Sequence, residues 1–484
     1  MPLSLVEQLT LWGYGVVTRL ARPLLRQKLR KRAQAEPGYA HDIEARFGHY
    51  RKLPQTPVTP QGEGGEAGPL IWVHAVSLGE ARAAAILVDS LRRLMPEMRL
   101  LLTHSTATGW SEGAGMLRPN DAQTWLPWDD AGSVNRFLRH FRPAVGVLME
   151  TEVWPVLIQA CRRQGVPLAL ANARLNERSF NQSLRLSWLS RPAYAGLAAV
   201  WAQTDDDARR LTLAGAQVAA VTGNLKFDAR PDPAQRKLAA TWRSVLNKPV
   251  MLLASSREGE EAQFIEQIIH LSQCQQAVDA TEIADAPVPL RPHVLIVPRH
   301  PQRFDAVADL LREHGIAFLR RSEWGQMLDA RVAEALALPE GLPGNPQVAE
   351  LDKNVRPVVW LGDSMGEMAL YYSLSDVALL GGSFEPLGGQ NLIEAAACGC
   401  PVVTGPHTFN FADAANAAVE MGAALRVDGM QAAVSDAVAL LAQPHMHAKA
   451  VAAAHEFAGS RQGAAAVTAK AVQRLLSVSG SAMR

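Results

Sequence analysis

The sequence predicts an α/β protein built from two Rossmann-like, doubly wound domains that face a central cleft. Three observations predict it. Short apolar runs of strand length alternate with helical stretches along the whole chain. Most runs are apolar on consecutive residues rather than on every second one, as strands buried on both faces of a parallel sheet must be. The alternation pauses once, near the middle, and 484 residues is enough for two domains that each bury a core.

The first segment, 1–50, precedes that alternation. Leu5, Leu9, Trp12, Val16, Leu20 and Leu24 follow helical spacing and form one apolar stripe. A basic cluster comes with it: Arg19, Arg22, Arg26, Lys28, Arg30, Lys31 and Arg32. Only eleven residues separate Glu7 from Arg19, short of the ~18–20 needed to cross hydrocarbon. Met1–Leu11 has neither the basic start nor the cleavage site of a secretory signal. Two readings stand side by side: a helix lying in the headgroup layer of an anionic leaflet, or a helix packed on the body with a solvated basic flank.

A breaker-rich loop spans Pro54–Pro69. Strands are then expected at Leu70–Ala75, Leu100–Thr103, Ala144–Met149, Pro167–Ala171, Ala199–Ala202 and Val218–Thr222. These define an N-terminal domain over 51–230. A linker over 231–248 follows, opened by Arg230-Pro-Asp-Pro. The C-terminal domain, 249–484, repeats the rhythm at Val250–Ala254, Val294–Pro298, Ile316–Leu319, Pro357–Leu361, Val377–Gly381 and Pro401–Thr404, with its last helix free to cross back. Polar or Pro-rich stretches near Ser272–Pro292 and Ser322–Arg356 read as surface insertions.

Composition narrows the function. Apolar residues make up 48% and charged residues 20%, so disorder is excluded. A formal charge of +1 is too small for a general binder of nucleic acid. The four cysteines form neither a disulfide framework nor a zinc site, and suit a reducing cytoplasm.

Open parallel sheets bind ligands at the carboxyl ends of their strands, so the residues that follow each strand matter most. Four junctions share one grammar, with Ser or Asn followed three residues on by Glu: Ser77/Glu80, Ser255/Glu258, Ser364/Glu367 and Asn391/Glu394. That is the spacing of a capping box, worth ~1 kcal/mol of helix stability and needing no chemistry. Glycines inside these turns (Gly79, Gly259, Gly366, Gly388, Gly389) also allow a ligand to approach backbone amides, and helix N-termini favour anions. A P-loop is absent, and so is G-x-G-x-x-G, which excludes a P-loop nucleotidase and argues against a nicotinamide enzyme. Neither a metal nor a cofactor is expected, because nothing completes a site around Asp363. Lys226 and Arg299 follow strands and could meet a phosphate; their bland reading is surface ion pairing. Glu150 and Glu152 end a strand and would point the same way in an extended segment, or else would feed a helix starting near Pro155.

Eight motifs then resemble one family in order: H-A-V-S-L-G-E (74–80), E-T-E-V-W-P (150–155), A-N-A-R-L (171–175), G-N-L-K-F-D (223–228), V-P-R-H-P-Q-R-F (297–304), G-D-S-M-G-E-M (362–368), G-G-Q-N-L-I-E-A-A-A (388–397) and G-P-H-T-F-N-F (405–411). They are similar to the 3-deoxy-D-manno-oct-2-ulosonic acid (Kdo) transferases of lipopolysaccharide synthesis. The resemblance implies a GT-B glycosyltransferase, inverting and metal-independent, that moves Kdo from CMP-Kdo to a lipid A precursor (lipid IVA). It implies a location on the cytoplasmic side of the inner membrane, which favours the interfacial reading of the N-terminal segment. It places the catalytic base at Glu80 and transition-state stabilisers at Glu150 and Lys226. It places the CMP contacts at Pro298 and Arg299, at Met365, Gly366 and Glu367, and at Asn391, Leu392, Ile393 and Glu394. Gln390 stands where the family more often has His, and the insertions lengthen the C-terminal half. The rival readings are another inverting two-Rossmann enzyme, such as a UDP-sugar transferase or epimerase, and a non-catalytic lipid-binding protein of the same fold.

Overall fold

The computed structural model describes residues 5–50, 68–246, 248–279, 290–323 and 358–482. The chain forms two compact units, residues 1–228 with 461–484, and residues 229–460. Most of the loop expected over 54–69 and of the two expected insertions lies outside the described residues.

Unit 1 is built on a parallel sheet of β1 (Leu70–His74), β2 (Arg99–His104), β3 (Ala122–Trp125), β4 (Val145–Met149), β5 (Leu168–Ala173), β6 (Ala199–Ala202) and β7 (Val218–Val221). Their spatial order is β3-β2-β1-β4-β5-β6-β7. Alternate side chains feed two cores, as the two-residue period of a strand requires. Ile71, Val73, Leu100, Leu102, Val145 and Val147 pack under the helix Leu78–Leu94. Trp72, Leu101, Leu148, Leu168 and Leu170 pack on the other face, under the helices Ala131–Phe141 and Pro155–Arg163. The final helix, Ala464–Ala482, belongs to this unit, and its Ala465, Ala469 and Val472 complete the first core.

Unit 2 repeats the plan with β8 (Val250–Ser256), β9 (His293–Pro298), β10 (Ala317–Arg320), β11 (Val358–Leu361), β12 (Val377–Leu380), β13 (Val402–Thr404) and β14 (Ala424–Arg426). Its parallel order is β10-β11-β9-β8-β12-β13-β14. In each sheet the direction of winding reverses once, between β1 and β4 and between β8 and β12. Open parallel sheets bind ligands at the carboxyl ends of their strands beside such a switch point. The stretch read as a linker carries the helix Pro233–Arg243, which packs on the helix Met368–Leu374 within unit 2.

Every strand expected from the sequence is present, with ends shifted by one or two residues. Two strands were not expected: β3, Ala-Gln-Thr-Trp, and β14, Ala-Leu-Arg. Both are sheet edges, where a strand needs no continuous apolar run.

The N-terminal segment folds as helices Leu5–Leu20 and Arg22–Ala35. Its inner side is anchored to unit 1. Thr18 donates its hydroxyl to the Asp129 carbonyl at 2.9 Å, the Trp128 indole donates to the Thr18 carbonyl, and Arg22 pairs with the buried Asp130. The apolar stripe faces away: Leu5, Leu9, Trp12, Leu20 and Leu24 are each about two-thirds exposed or more. Packing therefore uses Leu11 and Thr18, and of the stripe only Val16 is half-buried. The basic cluster divides likewise. Arg22, Arg26 and Arg32 engage Asp130, Glu44 and Glu36, whereas Arg19, Lys28, Arg30 and Lys31 are exposed. No described helix is long and apolar enough to cross a membrane.

Candidate active site

In unit 1, β1 ends at His74 and the chain enters its helix through Ala75, Val76 and Ser77, so Gly79, expected inside the turn, is already in the first turn of the helix. Ser77 caps that helix, its hydroxyl oxygen accepting the Glu80 amide at 3.3 Å. The Glu80 carboxylate reaches back, accepting the Val76 amide at 2.9 Å and the Ser77 hydroxyl at 3.2 Å. The capping geometry therefore forms, with Glu80 bonding the amide one residue before the cap. Burial, followed by the charges of Glu150 and Glu152, pushes the Glu80 carboxyl up to about 7, against the Val76 hydrogen bond and the charge of His74. One carboxylate can thus cap a helix and still hold a proton at neutral pH.

Glu150 follows β4 in a left-handed backbone conformation, φ 57°. Strain of this kind in a residue other than glycine, at a strand end, is a mark of a working site. The twist separates the two carboxylates that an extended chain would have aligned. Glu150 meets the Lys226 ammonium at 3.3 Å. Glu152 instead accepts the Trp154 indole N–H at 2.7 Å and lies 3.7 Å from His74 Nε2. The helix beyond starts at Pro155, so Glu152 lies outside its first turn.

Asn172 holds Lys226 in place; its sequence placed it in the A-N-A-R-L motif but gave it no role. It sits in β5 at φ 52°, and its side-chain oxygen accepts the Leu225 amide at 3.0 Å. That bond clamps the short turn Leu225–Asp228 whose next residue is Lys226. Asp228 in turn accepts the amides of Gly463 and Ala465, pinning the start of the last helix. The available signal was an Asn inside the apolar run Leu-Ala-Leu-Ala-Asn-Ala.

In unit 2, Pro298 ends β9 and the Arg299 amide bonds the Ser256 carbonyl at 3.0 Å, while its guanidinium meets Gln390 at 3.2 Å. Gln390 thus holds Arg299 at the edge of the 388–394 loop. The Ser255/Glu258 capping box does not form. Ser255 lies within β8 at φ 55°, and Glu258 is exposed beside Arg303. The buried Glu260 takes the capping part, accepting the Arg257 amide at 2.9 Å, and it also accepts the amides of Gly382 and Phe384. It ties the β8 and β12 loops together at the switch point. Gly381 is needed here, because a Cβ would stand 2.5 Å from the Ser255 carbonyl oxygen.

The other two boxes differ as well. Glu367 stands at the cap position of the helix Met368–Leu374 and pairs with Arg321 at 3.0 Å. Met365 beside it is exposed, and Gly366 has φ 81° with open space where a side chain would be. Asn391 accepts the Ile393 amide at 3.1 Å, opening the short helix Ile393–Ala397 that carries Glu394; Leu392 and Ile393 are buried under that turn. Sequence reasoning also missed Arg257, whose Nε is buried with no hydrogen-bond partner among the described residues. Burial and the charges of Arg257, Arg299 and Arg303 hold the His300 imidazole below its usual range. Arg303 pairs with Glu258 and Glu261, and Arg257 and Arg299 directly follow β8 and β9 at the carboxyl end of the sheet.

The structure thus brings Glu80, Glu150 and Lys226 together in unit 1, and the expected CMP contacts onto the strand ends of unit 2. A family model described as 3-deoxy-D-manno-octulosonic-acid transferase (kdotransferase) matches residues 41–229. The 3-deoxy-D-manno-octulosonic acid transferase of Bordetella pertussis is 42% identical over 470 residues, covering 95% of this chain and 99% of that protein. Its counterpart in Haemophilus influenzae is 30% identical over 434 residues, covering 88% and 90%. Among solved structures, UDP-GlcNAc 2-epimerase from Neisseria meningitidis bound to UDP-GlcNAc covers 84% of this chain and 99% of its own with a TM-score of 0.52. Its identity is 14%, so that likeness is one of fold, a GT-B-like pair of Rossmann units.

Proposed function

The chain belongs to the 3-deoxy-D-manno-octulosonic acid transferase family and is a glycosyltransferase that moves Kdo; from that premise we propose that it takes Kdo from CMP-Kdo to a lipid A precursor, with inversion. The observation that carries the chemistry is Glu80, a carboxylate that holds its proton to about pH 7 at the open end of β1. A general base works best when its proton affinity matches the operating pH.

In the proposed step the acceptor hydroxyl gives its proton to Glu80. Its oxygen bonds the anomeric carbon as the bond from that carbon to the phosphate oxygen breaks, and CMP leaves with the electron pair. Charge grows on the departing phosphate through an oxocarbenium-like transition state. Arg299, supported by Gln390, and the amides of the turns at 365–367 and 391–394 are the groups in unit 2 suited to it. Pro298 and Leu392–Glu394 shape the nucleotide's seat. Glu150 holds Lys226, whose ammonium stabilises developing negative charge.

The outward stripe and exposed cations of the N-terminal helices support docking on the cytoplasmic leaflet of the inner membrane, where a lipid acceptor would be met. Incubation with CMP-Kdo and tetraacylated lipid A precursor, followed by mass spectrometry of the lipid, tests the reading. A mass gain of one or more Kdo residues supports it. No gain, or equal use of a UDP-sugar, refutes it.

A further inference from the structure

The helix Glu177–Arg185 has no part in the step described above, and it buries none of its side chains fully. It leaves β5 directly, with Asn176 as its cap, and Phe180 holds it against the second core of unit 1. Its base is firm. The Leu175 amide donates to Asp207, and the Arg210 guanidinium donates to the Leu175 carbonyl. The Arg174 amide donates to the Glu150 carbonyl at 3.2 Å, so this loop begins at the catalytic cluster.

Two kinds of surface meet on this element. Arg178, Asn181, Gln182 and Arg185, with Glu177, line a concavity. Where the helix ends, Leu184, Leu186 and Trp188 are 45%, 41% and 53% exposed. A single exposed leucine is ordinary. Three in five residues, beside two arginines, are a combination suited to an anionic amphiphile. The next helix, Ser187–Tyr194, packs on Leu5–Leu20, which carries the outward Leu5, Leu9 and Trp12. Two segments far apart in sequence, each carrying exposed apolar side chains, thus pack on one another.

We propose that the helix Glu177–Arg185 and the turn at 184–188 are the landing site for the phosphorylated lipid acceptor. Arg178 and Arg185, with Asn181 and Gln182, take a phosphate of its headgroup. Leu184, Leu186 and Trp188 extend the apolar stripe of the N-terminal helix and meet the acyl region. A free phosphate would need only the cations; the adjoining apolar turn selects a lipid. The assignment rests on the transferase reading and names the element by which unit 1 receives its acceptor.

The test uses the full chain in two variants, Arg178→Ala/Arg185→Ala and Leu184→Ser/Leu186→Ser/Trp188→Ser. Circular dichroism and CMP calorimetry first verify that each is folded. Steady-state transfer to lipid A precursor in phosphatidylglycerol-containing vesicles is then compared with transfer to the deacylated precursor. The arginine variant is expected to raise the acceptor KM tenfold or more and leave the donor KM unchanged. The apolar variant is expected to lose the preference for the acylated acceptor. Wild-type acceptor KM in the first and a retained preference in the second, or equal changes in donor and acceptor KM, would overturn the proposal while leaving the transferase reading intact. If the wild-type protein itself transfers nothing, that reading fails first.

Discussion

Glu80 caps a helix and is the proposed base, and its variants separate the two roles. Glu80→Gln keeps the capping bonds but cannot accept a proton, so transfer is expected to fall by roughly 10²–10⁴-fold. The carboxyl binds its proton more tightly in the folded chain than in the unfolded one. Its stabilising contribution is therefore complete below pH ~4.5 and is lost as pH rises through about 7. In urea unfolding at pH 8, Glu80→Gln is accordingly expected to match or exceed the wild type. If Glu80 is the base, the rate profile is expected to show an acid limb near pH 7, measured in kcat/KM. Glu152→Gln removes a neighbouring negative charge, so this limb is expected to move to lower pH; an unmoved limb would exclude Glu152 from control of the base. In unit 2, Arg299→Ala is expected to weaken CMP binding by ~1–3 kcal/mol, read by calorimetry.

Elements show where sequence is legible and where it stops. The buried strands could be read because both of their faces are apolar. The edges β3 and β14 could not, since a strand with one neighbour leaves room for Gln, Thr and Arg. The turn of Glu80 was legible as either a cap or a base site, and the structure forms the cap without excluding the base. Asn172 and Glu260 were given no role because each bonds backbone amides that only the fold brings near, Leu225 for Asn172 and Gly382 and Phe384 for Glu260. Ser-x-x-Glu spacing over-read three helices, because Ser255 is still strand and Glu367 and Asn391 meet shorter helices in other ways. Asn172→Ala should expose the cost of such a clamp. Leaving the buried Leu225 amide unpartnered is expected to lower stability by ~1–3 kcal/mol and to loosen Lys226, seen as reduced turnover with intact CMP binding.

At the scale of the whole molecule, a formal charge of +1 hides an uneven distribution. The exposed cations Arg19, Lys28, Arg30 and Lys31 lie beside the apolar stripe at one end of the chain. Full-length protein is therefore expected to sediment with anionic vesicles and to be partly released as salt shortens the Debye length from about 10 Å at 0.1 M to about 3 Å at 1 M. Complete release would assign the attraction to charge alone.

The final helix, pinned by Asp228 and filling the first core of unit 1, bears on how the chain is made. Unit 2 is an insertion within unit 1, so a ribosome must translate all of it before Ala465, Ala469 and Val472 emerge. Until then the N-terminal half lacks side chains that complete its first core, so a frameshift or nonsense codon ahead of Ala464 would cripple the half that was translated first.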